Sequence, residues 1–257
     1  MQQTPAITIH SRDNPLVKDL RRLAQDTTAY RKQGRVWLEG DHLCSAALAR
    51  GLQPAVAVFS ESFVPYALDL KALHATKTVV IADALFADIS ALESPARMGF
   101  VMDLPASRAP QAVVPTVVLD RVQDAGNVGS ILRSAAAFGF KQVVALKGSA
   151  ALWAPKVLRA GMGAHFALNL IESVTLDDVQ ALGLPLLVTS SHQGDYLHQA
   201  DLPWPCAWVM GHEGQGVDAA LQALAHQHVR IAQPGGEESL NVAAAAAICL
   251  HASGAVR

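Results

Sequence analysis

The sequence contains few cysteines, few aromatic residues and few charges, and these shortages exclude several classes of protein. Of its 257 residues, three are cysteines, 5% are aromatic and 16% are charged. Cys44, Cys206 and Cys249 lie far apart with no Cys-x-x-Cys pair, which argues against a disulfide or zinc framework and favours a reduced, cytoplasmic compartment. No apolar run approaches the roughly 20 residues of a membrane span, and the N-terminus lacks the pattern of a signal peptide.

The histidines do not form a pattern typical of metal ligands. There are ten of them, scattered along the chain. Even His226 and His228 have no acidic or thiol residue close to them in the sequence, and zinc sites need such partners. We therefore expect packed or solvated histidines and no bound metal.

Apolar residues, in contrast, are abundant. They make up 51% of the chain, enough for a large core in one large domain or two smaller ones. Residues 104–115 contain three prolines and no helical periodicity, which predicts an extended linker. The linker separates a predicted N-terminal domain, residues 1–103, from a predicted C-terminal domain, residues 116–257. The first begins with an amphipathic helix and then alternates short β-like runs with helical stretches, as a small α/β domain does.

The C-terminal domain shows this alternation more clearly. Buried strands separated by helices predict an α/β fold with a mostly parallel sheet that helices cover on both faces. The predicted strands are residues 116–120, 142–146, 185–189, 206–210 and 228–231. The predicted helices are residues 128–138, 155–161, 176–182, 217–225 and 242–252. Ligands of such sheets bind at the carboxyl ends of the strands, so the loops there are the candidates for function.

The first polar loop, in LDRVQDAGNVGSILRSAAAFGF, joins the first strand of this domain to a helix. Asn127 has an ordinary interpretation as the N-cap of that helix, because asparagine satisfies unpaired helix N–H groups well. Arg133 follows within the helix beside an apolar stripe. A lone guanidinium in such a place is often a surface residue with a packed aliphatic stem. The loop alone therefore does not establish a function.

Two further loops carry unusual polar residues. In WVMGHEGQGVD an apolar strand runs into three glycines that surround Glu213, and glycines let backbone N–H groups approach a ligand closely. The spacing fits neither a P-loop nor a dinucleotide-binding fingerprint. In VRIAQPGGEESLNVAAAAAICLHA a strand and a polar loop precede a helix rich in alanine. Ser239 or Asn241 is also a candidate N-cap for that helix.

Taken together, the order and spacing of the three loops resemble the SpoU (TrmH-like) family of RNA ribose 2′-O-methyltransferases, within the SPOUT superfamily. That family has Asn-x-Gly with an arginine six residues past the asparagine, then Gly-Asn-Glu-Gly-x-Gly, then Glu-Ser-Leu-Asn-Val. The matching residues are Asn127, Gly129 and Arg133, then Gly211, Glu213, Gly214 and Gly216, then Glu238, Ser239, Leu240, Asn241 and Val242. SRDNPLVKDLRRLA, YRKQGRVWLEGDHL and SPARMGFVM are similar to the family's N-terminal substrate-binding domain, which has a ribosomal-protein-like α/β fold.

The resemblance implies an S-adenosyl-L-methionine cofactor, held in a deep C-terminal trefoil knot of the SPOUT type. It also implies a homodimer with active sites near the subunit interface. The residues that would bind the cofactor are Thr189, Gly211, Gly216, Ile231 and Leu240. No metal is needed, because the sulfonium of this cofactor is already an activated electrophile.

The resemblance further implies a set of catalytic residues, which are Arg133, Asn127, Glu213, Ser239 and Asn241. A guanidinium is effectively always protonated. We therefore expect Arg133 to hold the phosphate and the ribose oxygen and to stabilise the developing alkoxide. We expect Glu213 to pair with Arg133 and the other three to position the loops and the ribose.

RNA is the expected partner, although the net charge is −2. Residues 12–35 are locally basic, and a local basic surface attracts phosphates in a near-neutral protein. The predicted RNA-binding residues are Lys18, Arg21, Arg22, Arg31, Lys32 and Arg35. A solvated helix face is the equally ordinary interpretation of this charge.

Two alternatives to an enzyme for ribosomal RNA stay open. The first is the same reaction on transfer RNA; the separate N-terminal domain favours ribosomal RNA. The second is a non-catalytic RNA-binding or ribosome-assembly protein that keeps the fold. The presence of all five predicted catalytic residues together argues against it.

Several positions depart from the family pattern. The departures are Ala125 for Pro, Gly161 for Ser, His212 for Asn, Ala232-Gln233 for Pro-Met and Ala243 for Ser. None of them removes a residue to which we assign chemistry. They concern the loops, and so the affinity for the cofactor.

Overall fold

A computed structural model divides the chain into two compact units. The described residues are 7–63, 77–106, 108–190, 193–235 and 239–254. The N-terminal unit comprises Met1–Ala106 and Trp153–Phe166, and the C-terminal unit comprises Ser107–Leu152 and Ala167–Arg257. The predicted domain boundaries at 103 and 116 stay a prediction. Within the described residues, no helix is long and apolar enough to cross a membrane.

The N-terminal unit is built on a mixed sheet. Its strands are β1 (Ile7–Ile9), β2 (Arg35–Glu39), β3 (Val56–Ser60), β4 (Lys77–Ile81) and β5 (Met98–Asp103). Its first helices are α1 (Pro15–Gln25), α2 (Ala29–Gln33), α3 (Asp41–Leu48) and α4 (Asp83–Ile89). Over the described part of the chain the sheet order is β1-β4-β3-β5-β2, and β5 runs antiparallel to β3 and β2. The alternation of short strands and helices that we predicted for this unit is therefore present.

Helix α1 shows how the sequence specifies this unit. Asn14 caps the helix by accepting a hydrogen bond from the Leu16 N–H at 2.9 Å, and Pro15 occupies the first turn, where its missing N–H costs nothing. Val17, Leu20, Leu23 and Ala24 are buried. They recur at the spacing of one helix face, so α1 packs an apolar stripe into the core and leaves its basic residues at the surface.

The C-terminal unit contains a parallel sheet. Its strands are β6 (Thr116–Leu119), β7 (Gln142–Leu146), β8 (Asn169–Val174), β9 (Leu186–Thr189), β10 (Asp195–Tyr196), β11 (Ala207–Met210) and β12 (Gln227–Arg230). The helices of this part of the sequence are α5 (Ala125–Ala137), α6 (Pro155–Gly161), α7 (Leu176–Gln180), α8 (Ala219–Ala223) and α9 (Val242–Gly254). Within the described residues the order is β10-β12-β9-β11-β6-β7-β8, and every pair is parallel. The predicted parallel α/β fold is confirmed.

One helix from this stretch belongs to the other unit. Helix α6 was expected in the C-terminal domain, but Trp153–Phe166 is grouped with the N-terminal unit, where α6 packs beside α1 and β2. Gly163 has a φ of 88°, and a Cβ there would lie 2.6 Å from the Ala46 methyl group. Only glycine therefore suits this turn, both for its backbone angle and for its close contact.

The central strands of the parallel sheet explain its stability and place the site. All residues of β6 and β11 are buried, as expected for strands that are covered on both faces. Helix α9 packs against α5 and β11, and the Trp208 indole N–H donates to the Ser253 hydroxyl at 2.8 Å. Because β6, β11, β9 and β12 are neighbours and parallel, their carboxyl ends lie along one edge of the sheet. The three polar loops of the sequence leave from that edge.

Candidate active site

The connection from β6 to α5 sets the first wall of the site. Asp124, not Asn127, is the N-cap of α5, and its Oδ1 accepts a hydrogen bond from the Asn127 backbone N–H at 2.8 Å. The N-cap interpretation of Asn127 is therefore wrong, because the helix begins at Ala125, three residues earlier than the apolar pattern indicated. Asn127 lies in the first turn instead, so its side chain amide is available for other contacts.

Glu213, on the glycine-rich loop after β11, accepts a hydrogen bond from the Asn127 side chain amide. Its Oε1 accepts hydrogen bonds from Asn127 Nδ2 at 3.1 Å and from the Asp124 N–H at 3.1 Å, and its Oε2 accepts one from the Gln123 N–H at 3.2 Å. Partial burial raises the pKa of the Glu213 carboxyl, but the hydrogen bonds that the carboxylate accepts outweigh burial, so the pKa lies below its usual value. Glu213 is thus an anion that fastens the second loop to the N-terminus of α5.

Asn241 attaches the third loop to the same point. Its Nδ2 donates to Asn127 Oδ1 at 3.0 Å, across 114 positions of sequence. Its Oδ1 accepts hydrogen bonds from the backbone N–H groups of Ala243 at 2.9 Å and Ala244 at 3.2 Å, so it also caps α9. We call Asn127, Glu213 and Asn241 the polar centre. The structure brings these three predicted residues together, with Asn127 in the middle.

Arg133 does not join the polar centre within one chain. It is exposed on α5, and among the described residues its side chain forms no hydrogen bond or ion pair. Arg133 is six residues from Asn127, and at about 100° per residue these side chains leave the helix axis about 120° apart. The predicted contact between Arg133 and Glu213 is therefore wrong for the single chain, where backbone N–H groups and Asn127 take the carboxylate.

The remaining catalytic candidates lie on the third loop. Ser239 is exposed, and Leu240 is an exposed large apolar side chain. Glu238 lies outside the described residues. The structure therefore places Ser239 two residues before Asn241 and shows no contact that ties its side chain to the polar centre.

The predicted cofactor positions follow three neighbouring strand ends. Thr189 ends β9 and its hydroxyl donates to the Val209 carbonyl at 3.1 Å, while Ile231 follows the last residue of β12. A Cβ on Gly211 would lie 2.4 Å from backbone atoms of Gly216 and Val217, so this strand end has to be glycine. Gly216 has a φ of 69°, in the left-handed region that also favours glycine.

An unsatisfied acceptor lies on the same edge. Gln233, two residues past Ile231, has a buried Oε1 with no hydrogen-bond partner among the described residues. Buried polar atoms are almost always paired, so an unpaired acceptor in the loop after β12 fits a ligand that carries N–H or O–H donors. Loops after β9, β11 and β12 thus have the composition of a binding site for a polar organic molecule.

A second polar group, which the sequence did not reveal, supports the glycine-rich loop. Asp120 is 1% exposed, and its carboxylate accepts two hydrogen bonds from the Arg121 guanidinium. Arg121 Nε donates to Oδ1 at 2.8 Å and Nη2 donates to Oδ2 at 3.1 Å, which is a bidentate ion pair. Asp120 Oδ2 also accepts from the Asp218 N–H at 2.6 Å, and Arg121 Nη1 donates to Gln215 at 3.0 Å. An acidic residue directly after a buried strand was the available signal.

Arg121 keeps this arrangement despite an unfavourable backbone. Its φ is 57°, a left-handed conformation that costs a non-glycine residue on the order of 1 kcal/mol. The hydrogen bond to Asp120 raises the pKa of Arg121 further above its usual value. A cavity of about 330 Å³ lies beside the pair, and none of the five predicted cofactor-binding residues lines it.

The predicted RNA-binding residues of the N-terminal unit divide into two groups. Lys18 pairs with Asp13 at 2.9 Å, Arg35 with Asp103 at 2.8 Å, and Arg21 with Asp88. Arg31 Nε donates to the hydroxyl of its neighbour Tyr30 at 3.1 Å. Arg22 and Lys32 are exposed, and their side chains form no ion pair with any described residue. Much of the predicted basic surface is thus neutralised by carboxylates, two of them distant in sequence.

Comparison with known proteins agrees with this geometry. Residues 115–251 match the model of the SpoU rRNA Methylase family, and residues 14–98 match that of the MRM3-like substrate binding domain. An uncharacterized tRNA/rRNA methyltransferase of Synechocystis (slr1673) is 34% identical over 95% of this chain and 92% of its own. The 23S rRNA (guanosine(2553)-2′-O)-methyltransferase RlmP of Bacillus subtilis is 30% identical over 95% and 97%.

Solved structures agree as well. The AdoMet-bound rRNA methyltransferase from Sinorhizobium meliloti superimposes with a TM-score of 0.82 at 26% identity and covers 96% of this chain and 97% of its own. Fold, motif order and polar centre therefore define a methyltransferase of the SPOUT type. The chain belongs to the SpoU rRNA Methylase family.

Proposed function

We propose that this protein transfers a methyl group from S-adenosyl-L-methionine to a ribose 2′-hydroxyl of ribosomal RNA. The observation that carries the proposal is the polar centre, in which Asn127 joins Glu213 and Asn241 from the other two loops. These are the motif residues of the family, and they meet at the carboxyl edge of a parallel sheet, where such folds bind ligands. A non-catalytic relative would have no need to keep all three in contact.

The residues at the strand ends fit the cofactor. The backbone at Gly211, Ile231 and Leu240 and the unpaired Gln233 Oε1 would hold its adenosine, and Thr189 and Gly216 would shape the surrounding loops. When bound, the cofactor supplies an activated methyl group on a sulfonium. The AdoMet-bound relative from Sinorhizobium meliloti supports this assignment.

Arg133 is the residue that we assign to binding the nucleophile, which is the ribose 2′-hydroxyl. A ribose hydroxyl is a weak acid, so it has to be positioned and its developing negative charge stabilised. A guanidinium that is already paired would serve poorly, and Arg133 forms no ion pair with any described residue. It therefore keeps its five donors for the RNA phosphate and the ribose oxygen. The hydroxyl proton leaves to phosphate or water, because a guanidinium does not act as a base.

The polar centre positions the reaction. Glu213 stays ionised, because its hydrogen bonds hold the pKa of its carboxyl below the usual range. The Asn127 side chain is hydrogen-bonded both to Glu213 and to Asn241, and Asn241 caps α9. The two helix N-termini and the glycine-rich loop are thereby fixed to one another. We infer that Ser239, two residues from Asn241, contacts the ribose or the cofactor.

Three further parts of the proposal concern assembly and setting. We infer a homodimer, and the exposed Ile248 of α9 and Leu240 before it are apolar surface that a second copy would cover. We also infer the deep trefoil knot that the family resemblance implies, and a cytoplasmic location, where ribosomal RNA is made and the three buried cysteines stay reduced.

Methyl transfer from labelled S-adenosyl-L-methionine into separate ribosomal and transfer RNA pools tests the proposal. We expect label in ribosomal RNA, at a ribose 2′-oxygen. Arg133→Ala should lower the rate by about 100-fold or more, because it removes charge stabilisation at the reacting oxygen. Lys141→Ala is the matched control, since Lys141 is an exposed cation at the opposite end of the strands.

Each outcome decides a different part. A rate for Arg133→Ala within a few-fold of the unchanged protein would show that the assignment of Arg133 is wrong. Label in transfer RNA alone would show that transfer RNA, and not ribosomal RNA, is the substrate. Label in neither pool, with cofactor binding intact by calorimetry, would point to an assembling ribosomal particle. Loss of cofactor binding as well would favour the non-catalytic alternative.

A further inference from the structure

His212, at a position where the family usually has asparagine, organises the loop that carries Glu213. Its Nδ1 accepts hydrogen bonds from the backbone N–H groups of Gly214 at 3.0 Å and Gln215 at 3.2 Å. Its own backbone pairs with Gly216 in both directions, at 3.0 and 2.8 Å. The loop is thus a tight turn closed around an imidazole, and Glu213 lies at its tip.

The direction of these hydrogen bonds sets a chemical condition. A backbone N–H is only a donor, so Nδ1 has to be the unprotonated nitrogen of a neutral ring, with the proton on Nε2. An imidazolium carries protons on both nitrogens and accepts nothing. Protonation would therefore set an N–H against two other N–H donors and open the turn.

We propose that His212 is a positioning residue for methyl transfer: its neutral imidazole holds the turn that presents Glu213 to Asn127, and its protonation releases that turn. This inference rests on the proposed function. Asparagine has a carbonyl oxygen that accepts the same kind of hydrogen bond from N–H groups two and three residues ahead, but it does not titrate. In this chain the same task is done by an imidazole, which accepts these hydrogen bonds only while its Nδ1 carries no proton.

The charged groups of the two loops do not provide an alternative source of pH dependence. They are Asp120, Arg121 and Asp124 before α5, and Glu213 and Asp218 after β11. Imidazoles titrate between about pH 5 and 8 and ordinary carboxyls near 4. The Glu213 carboxyl, with its lowered pKa, therefore stays ionised while an imidazole gains its proton. All five groups are also retained when His212 alone is changed.

His212→Asn is the decisive variant, because it keeps the acceptor and removes the titration. Initial rates of methyl transfer by the full chain are measured between about pH 5.5 and 8.5 for the unchanged protein, His212→Asn and His212→Ala. Below about pH 6 we expect the unchanged protein to lose rate by roughly tenfold more than His212→Asn. His212→Ala should be slower throughout, by about three- to tenfold, since both hydrogen bonds are lost. If the rate of methyl transfer fell equally at low pH in the unchanged protein and in His212→Asn, the proposal would be overturned.

A second readout does not depend on activity. In uniformly ¹⁵N-labelled protein, the His212 Nδ1 resonance, identified by its loss in His212→Asn, reports which nitrogen carries the proton. We expect an unprotonated Nδ1 at pH 8 and amide resonances of Gly214 and Gln215 that titrate with the ring. A protonated Nδ1 at pH 8 would show that the ring does not accept the hydrogen bonds of the turn, and the proposal would be wrong. An unprotonated Nδ1 in a protein that methylates no RNA would instead show that the proposed function has failed.

Discussion

The cations that we predict to contact RNA have different surroundings in the two units. In the N-terminal unit three of the predicted RNA-binding cations, Lys18, Arg21 and Arg35, pair with carboxylates at an exposed or half-exposed surface. In the C-terminal unit Glu213 is held by N–H groups instead of a cation. Arg133 is left without an ion-pair partner among the described residues. Half of the predicted RNA-binding cations are thus paired in the N-terminal unit, while the described residues leave the predicted catalytic cation of the C-terminal unit without an ion pair.

Sheet topology explains why, over the described residues, the polar strand ends meet at a single edge in the C-terminal unit and not in the N-terminal one. In the mixed sheet β5 runs against its neighbours β2 and β3, so polar strand ends are divided between two edges. In the parallel sheet all carboxyl ends share an edge, and Asn127 meets Asn241 across 114 positions of sequence. Each side-chain hydrogen bond of the polar centre joins two loops that are distant in sequence. Single changes in the polar centre should therefore have large effects, and changes at the paired surface charges small ones.

The largest expected effect is that of Gly211→Ala. A Cβ at Gly211 would lie 2.4 Å from backbone atoms of Gly216 and Val217, which cannot move aside as a flexible side chain would. We expect cofactor binding to be lost or weakened by about 100-fold, because the glycine-rich loop is displaced, and methyl transfer to fall with it. Calorimetry with S-adenosylhomocysteine measures the binding.

Gly235→Ala is the matched control, because a Cβ there meets nothing within 4 Å. Its thermal unfolding should equal that of the unchanged protein. If Gly211→Ala bound the cofactor as tightly as Gly235→Ala, the close backbone contact would not be needed for the site, and the contrast between the two units would be weakened.

A smaller effect is expected from Asn241→Asp. The aspartate keeps an Oδ1 that caps α9 but loses the Nδ2 that donates to Asn127 Oδ1 at 3.0 Å. Helix stability should therefore be nearly unchanged, since Asn and Asp are about equal as N-caps. Methyl transfer should fall about 10- to 100-fold, because two oxygens face each other and the third loop separates from the first.

Asn127→Ala and the double variant complete a thermodynamic cycle. If the two residues act as one unit, Asn241→Asp should cost much less in a protein that already carries Asn127→Ala. Additive losses of rate would mean that the two asparagines act separately, and that the polar centre is only a set of helix caps.

Much of the fold could be predicted from sequence, and the failures have physical causes. Five strands and the parallel sheet of the C-terminal unit follow from apolar runs between helices. β8 was missed because polar Asn169, Glu172 and Ser173 interrupt its apolar pattern, and β10 because it has only two residues. Pairing partners distant in sequence, such as Asp88 for Arg21 or Asp103 for Arg35, leave no local signal.

The candidate site was predictable in its residues but less so in its contacts. Motif spacing indicated Asn127, Glu213 and Asn241, and the parallel sheet brings them together. The predicted Arg133–Glu213 pair failed because a separation of six residues turns Arg133 to another side of α5. The role of His212 was likewise not visible, since two backbone hydrogen bonds to one ring nitrogen depend on the exact path of the loop.

The smallest expected effects separate the paired from the unpaired cations of the N-terminal unit. Arg22→Ala with Lys32→Ala removes two exposed cations without ion-pair partners among the described residues. Lys18→Ala with Arg35→Ala removes two that pair with Asp13 and Asp103. RNA binding releases counterions, so each cation that contacts a phosphate contributes about one to the slope of log affinity against log salt concentration. Filter binding of ribosomal RNA fragments at several salt concentrations measures that slope.

We expect the slope to fall by about two for the Arg22 and Lys32 double variant and by clearly less for the Lys18 and Arg35 one. A paired cation has to give up its carboxylate before it contacts a phosphate, so its net gain is smaller. The Lys18 ammonium lies 2.9 Å from the Asp13 carboxylate, so this pair has to separate before Lys18 contacts a phosphate. Equal slopes for the two double variants would mean that RNA displaces the carboxylates at no cost. The N-terminal unit would then present its paired cations to RNA as readily as its unpaired ones.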